Sequence, residues 1–154
     1  MNGKPMILSR KLPGLSFQNE QKFKEYWKLM MQNGSFYRPR AVFEVENEEK
    51  EPGFPDLLLV DSDNEAIFYE IKVARKGGRF TFEPTQPRFF RSHPNLTIYV
   101  VVFDMEKQEL FEIAAPLAAQ AVLEKGSLTL SVRDRELWDR SFSLLTQKRS
   151  QSQD

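Results

Sequence analysis

The stretch "GFPDLLLVDSDNEAIFYEIKVARKGGRF", residues 53–80, decides the reading of this chain. It holds two apolar runs, 54–60 and 66–73, separated by the polar turn "DSDNE". Runs of this length, rich in Leu, Val, Ile, Phe and Tyr and divided by turn formers, predict two strands of an antiparallel hairpin. Asp56, Glu70 and Lys72 interrupt these runs, where a buried strand gains nothing from charge. A turn centred on Asp63 sets Asp56 opposite Glu70, and directly opposed residues share a face with Cβ atoms about 4.5–5.5 Å apart. Lys72, two residues beyond Glu70, projects to that face as well. The grouping depends on register, because a slip of one residue separates its members.

Two opposed carboxylates repel, and partial burial sharpens the cost. A divalent cation between them removes the repulsion, with waters and a substrate phosphate filling the rest of its shell. A cross-strand salt bridge to Lys72, with the carboxylates exposed at the sheet edge, also removes it. Hairpin geometry alone leaves both arrangements open.

Outward from the hairpin, the pattern predicts a mixed α/β domain with one sheet. Residues 1–15 carry Pro5, Pro13 and Gly14 and read as a loose leader. Ser16 is a plausible N-cap for a helix to Gln32, ended by Asn33 and Gly34, with Phe23, Tyr26, Trp27, Met30 and Met31 as its apolar stripe. A strand over 40–46 precedes the hairpin. A short helix over 83–94 follows it, limited by Pro84, Pro87 and Pro94. "LTIYVVVFD", residues 96–104, reads as a buried strand, and "QELFEI" returns from it. A helix from Pro116 to Lys125, an alternating strand "SLTLSVR" and an amphipathic helix "DRELWDRSFSLL" complete the domain, residues 16–146. The tail, residues 147–154, has the composition of a disordered segment.

"PD" at Pro55-Asp56 and "EIK" at Glu70-Ile71-Lys72, behind an apolar run, resemble the signature of the PD-(D/E)XK nuclease superfamily. The likeness extends through Gly53, Gly78-Arg79, Thr81 and Gln86, a pattern similar to VRR-NUC-type and Holliday-junction-resolvase-like members. It covers the chain from Ser16 to Asp104. The resemblance implies a restriction-endonuclease-like core, a mixed central sheet flanked by helices. It implies Asp56, Glu70 and the backbone carbonyl of Ile71 as ligands of Mg²⁺, for which Mn²⁺ substitutes. It further implies Lys72 acting on the attacking water, Gln86 lining the site, and hydrolysis of DNA, branched or junction DNA among the candidate substrates. The family often adds a glutamate from the first helix. The apolar stripe centres about 65° from Glu20 and about 155° from Glu25, so Glu20 lies beside the buried face and is the candidate fourth ligand. The short, proline-flanked helix around Gln86 departs from the longer helix usual in the family.

The chain carries 22 basic and 22 acidic residues, so net charge alone does not mark a polyanion binder. Their distribution is uneven. Arg75, Lys76, Arg79, Arg88 and Arg91 form a basic stretch interleaved with phenylalanines and are candidate nucleic-acid contacts, whereas residues 44–51 are acidic. Gly77 and Gly78 suit a left-handed turn beside these cations. The single histidine, His93, precedes a proline and reads as structural. With no cysteine, disulfides and thiolate metal sites are excluded, in keeping with a cytoplasmic protein. No Ser-His-Asp set, phosphate-binding glycine loop or membrane-length apolar run occurs. One active site per chain cuts one strand at a time, so a homodimer is expected. A catalytically weak nucleic-acid-binding or assembly module that keeps the nuclease fold is the alternative function, and a plain structural α/β domain is a third.

Overall fold

A computed structural model describes residues 7–33, 39–45 and 51–152. Parts of the expected leader, acidic stretch and tail (residues 1–6, 46–50 and 153–154) lie outside the described residues, as does the helix stop Gly34.

The domain is mixed α/β, a six-stranded mixed sheet flanked by four helices. Along the chain come β1 (Ile7–Lys11), α1 (Glu20–Gln32), β2 (Pro39–Glu44), β3 (Leu57–Asp61) and β4 (Ala66–Ala74). A 3-10 turn (Lys76–Gly78) leads to β5 (Arg79–Thr81) and α2 (Thr85–Ser92). Then follow β6 (Ile98–Asp104), β7 (Glu109–Ala114), α3 (Ala115–Lys125), β8 (Thr129–Ser131) and α4 (Arg135–Ser152). The sheet order is β1-β7-β6-β4-β3-β2, and only β4 and β6 run parallel. Short β5 and β8 pair separately in a two-stranded ribbon, a second sheet the sequence pattern did not predict.

β4 lies inside the sheet, which is why nearly all of it is buried. Its odd-numbered residues Ile67, Tyr69, Ile71 and Val73 pack with Phe23, Trp27 and Met31 of α1. Its other face meets a second core containing Phe80, Phe82, Phe89, Phe90 and residues of α3 and α4. The sheet is therefore sandwiched, with α1 on one side and α2, α3 and α4 on the other.

The hairpin register is the expected one, pairing Leu57 with Tyr69 and Val60 with Ala66. Asp61 shapes its turn, Oδ1 accepting from the N–H groups of Asp63 and Glu65 at 2.9 Å each. Three expectations are corrected. Residues 7–11, placed in a loose leader, form edge strand β1, held by antiparallel pairing with β7. Helix α1 begins at Glu20 and is capped by Asn19, whose side chain accepts from Lys22 N–H at 3.0 Å. Ser16 does not cap it, because Phe17 turns inward against Phe23 and Phe103. Helix α4 continues through Ser152, so most of the expected disordered tail is helical, a polar sequence with no glycine or proline to stop it. Among the described residues no helix is long and apolar enough to cross a membrane.

Candidate active site

The site begins where β3 leaves β4. Regular pairing ends at Leu57 and Tyr69, and Asp56 N–H donates to the Tyr69 carbonyl at 3.0 Å. Beyond that point no strand covers the β3 side of β4 among the described residues. Side-chain carboxylates take over instead. Oδ2 of Asp56 accepts from the N–H of Ile71 at 3.1 Å, and Oε2 of Glu20 accepts from the N–H of Val73 at 3.3 Å. Strand geometry aims the N–H and C=O of one residue to the same side, so the Ile71 carbonyl faces these carboxylates. The three line one groove of about 140 Å³ together with Gln21 and Lys24.

Glu20 reaches the groove as its angle on α1 predicts, and Glu25 points to solvent, paired with Lys22 at 3.6 Å. Glu44, the first residue of the acidic stretch, bridges Lys24 and Lys28 at 3.2 and 3.0 Å.

Glu70 and Lys72 project from the face of β4 opposite Ile71, toward α2, and do not line the groove. Glu70 is 3% exposed, and its Oε2 accepts from Gln86 Nε2 at 2.9 Å. Gln86 is itself fixed, its Oε1 accepting from the N–H of Glu83 at 2.9 Å. The short proline-bounded helix thus suffices to hold Gln86 on Glu70. Lys72 is only 5% exposed, with its ammonium 5.4 Å from the centroid of the Phe82 ring. Among the described residues no carboxylate forms an ion pair with it. The cross-strand salt bridge that would have made these charges purely structural is therefore not formed.

The loop carrying Asp56 is pinned by Gly53. Its φ is +88°, and a Cβ there would overlap the Thr85 carbonyl oxygen at the start of α2. Only glycine permits this approach.

The basic residues fall in two places. Arg75, Lys76 and Arg79 surround the tight turn, where Gly77 and Gly78 have the expected positive φ. Arg75 Nη2 donates to the Gln18 carbonyl at 3.2 Å, which ties this turn to the approach to α1. Arg88 and Arg91 are exposed on α2, Arg88 lining a separate cavity of about 270 Å³ with Phe89 and Glu51. His93 stacks on Phe89, Nδ1 lying 3.0 Å from its carbonyl oxygen, a structural role as expected.

An unforeseen brace holds the turn. Buried Asp104 accepts from Arg133 Nε and Nη2 at 3.0 Å each, and Nη2 also meets Glu106 at 3.0 Å. Glu106 accepts from the N–H of Gly77 at 2.9 Å. That N–H, then Arg133, hold the Glu106 carboxyl below the usual carboxylate range. Gln21 and Lys24 were also missed, although Lys24 follows Glu20 at the four-residue spacing that shares a helix face.

Among the described residues no three His, Cys, Asp or Glu side chains converge as a metal cluster. The groove offers two carboxylates and a main-chain carbonyl, hard oxygen donors of the type Mg²⁺ accepts alongside water. Each carboxylate spends one oxygen on the backbone and has a second to offer. The donor chemistry fits such an ion. The chain matches no protein-family model, no curated protein and no solved structure.

Proposed function

We propose that this protein is a metal-dependent endonuclease of the PD-(D/E)XK type that hydrolyses phosphodiester bonds in DNA. The observation that carries this reading is Lys72, a lysine buried beside Glu70 with no ion-pair partner among the described residues. Burying an ammonium that no close ion pair compensates costs stability, so the arrangement calls for a use. Mixed α/β architecture with the hairpin at the heart of the sheet is consistent with the restriction-endonuclease-like core.

In this reading Asp56, Glu20 and the Ile71 carbonyl would hold Mg²⁺ or Mn²⁺ from the groove, with Glu70 behind them on the opposite face of β4. A cation bound there would supply Lewis acidity for a phosphoryl oxygen and a water. Lys72 supplies a buried positive charge from the other face of β4, where a low-dielectric surrounding weakens its field least. Gln86 holds the Glu70 carboxylate in one orientation. Arg75, Lys76 and Arg79, with Arg88 and Arg91, meet backbone phosphates. One groove per chain cuts one strand, so scission of both strands calls for two copies and the reading includes a homodimer.

The test is incubation with supercoiled plasmid, single strands and four-way junctions in Mg²⁺, Mn²⁺ or EDTA. Wild type nicks DNA only with metal, and Asp56→Asn lowers the rate by about a hundredfold or more. Wild-type protein inert under every metal condition overturns the reading; metal-independent DNA binding without cleavage favours the binding module.

A further inference from the structure

The groove has a cationic wall that the metal-site residues do not explain. Lys24 lies four residues beyond Glu20, so both leave the same face of α1, and both line the groove. Only 15% of the Lys24 side chain is exposed, and its ammonium is 3.2 Å from Glu44 Oε1. Lys28 takes the other oxygen, Oε2, at 3.0 Å. Sheet register delivers Glu44 to this spot. It pairs with Leu57, the neighbour of Asp56, and the N–H of Val45 donates to the Asp56 carbonyl at 2.8 Å.

Lys28 first and Lys24 second hold the Glu44 carboxyl below the usual carboxylate range, so it stays ionised between them. One carboxylate facing two ammonium groups leaves one positive charge in excess. Of the two lysines only Lys24 lines the groove, among the described residues. Lys28 alone is enough to clamp α1 to β2, so the Lys24 ammonium is not committed to Glu44 alone and stands at the groove wall with Asp56 and Glu20.

The geometry points to Lys24 as a binding residue for a phosphate oxygen of the DNA strand seated in this groove, with Glu44 as its positioning residue. This inference rests on the nuclease reading above. Glu44 shares its charge with Lys28, so Lys24 is held in place without being neutralised.

The experiment uses the full chain and a short fluorescein-labelled DNA duplex, with Ca²⁺ replacing Mg²⁺. Fluorescence anisotropy is followed over a range of salt concentrations for wild type, Lys24→Ala and Lys28→Ala. Both variants remove one ammonium from Glu44 and change net charge equally, so they differ only in the groove. Lys24→Ala is expected to lower the slope of log affinity against log salt by about 0.9, the release of one counterion, and Lys28→Ala to leave it unchanged. Lys24→Gln, which keeps a hydrogen bond to Glu44 without charge, gives the same loss and covers the case in which the alanine variant folds poorly. Lys24→Arg keeps the slope. Equal slopes for Lys24→Ala, Lys28→Ala and wild type overturn the inference. If wild type also nicks plasmid, that failure leaves the nuclease reading standing. A slope lost in Lys24→Ala while wild type cleaves nothing keeps the phosphate contact and removes the nuclease.

Discussion

Gly53→Ala tests the most local geometric claim made above, that the Asp56 loop closes on α2 only without a side chain. Two costs follow from the structure. An alanine at φ +88° enters the left-handed region, which costs roughly 1–2 kcal/mol. Its Cβ would also overlap the Thr85 carbonyl oxygen, lie 2.7 Å from the carbonyl carbon and 3.1 Å from Phe89 Cβ. Backbone atoms inside a helix yield less than a side-chain tip, and overpacking of this kind costs about 1–3 kcal/mol. The total is about 2–5 kcal/mol, which for a chain of this size lowers Tm by roughly 4–20 °C. Differential scanning calorimetry reads it directly. Gly126→Ala is the control: φ is +67° there and a Cβ meets nothing within 4 Å, so only the backbone cost applies. Gly53→Ala should exceed Gly126→Ala by about 1–3 kcal/mol. Equal shifts for the two variants would refute the close approach, and with it the account of how Asp56 is positioned.

Two further outcomes follow. Lys72→Met replaces a buried, unpaired ammonium by an apolar chain of similar length and should raise stability by about 1–2 kcal/mol while abolishing nicking; a lower Tm would show that the ammonium stabilises the fold. Acid should weaken the fold through Glu44 and Glu106, whose carboxyls are depressed by Lys28 with Lys24, and by Gly77 N–H with Arg133. A depressed folded-state pKa contributes stability that is fully present above the ordinary carboxylate pKa of about 4.3 and lost as pH falls through the folded value. Thermal melts from neutral pH downward should therefore decline below about pH 5, and less steeply in Glu44→Gln with Glu106→Gln; identical profiles would contradict these pairings.

Much of this molecule was legible from a few residues. The near-symmetric turn around Asp63 gave the register of β3 and β4, because residues equally distant from its centre pair across it. The position of Glu20 relative to the stripe on α1 placed it correctly beside the sheet. What stayed hidden was long-range. β1 has the sequence ILSRK with one half-buried residue, a pattern that becomes a strand only because β7 offers an edge. β5 is three residues long, too short for alternation to show, and nothing local marked it as the partner of the alternating strand β8. Lys24 looks like any solvated helix lysine until β2 brings Glu44 to it. The division of the acidic and lysine residues between two sides of β4 was likewise invisible. Asp56 sits where β3 diverges, and its carboxylate reaches the N–H of Ile71 on the open side of β4.

The pairing of β1 with β7 has a consequence for synthesis. Ile7 finds Ile113 across a separation of about a hundred residues, so the first strand of the sheet leaves the ribosome long before its partner exists. At about 5–20 residues per second that interval is roughly 5–20 s. In the last third of it, once Ala74 has been made, the hairpin carrying Glu70 and Lys72 is complete and free to dock on α1. The outer edge of the sheet is thus the last to close, and this strand has to remain soluble until then. Its serine, arginine and lysine, exposed even in the finished sheet, suit a segment that must wait.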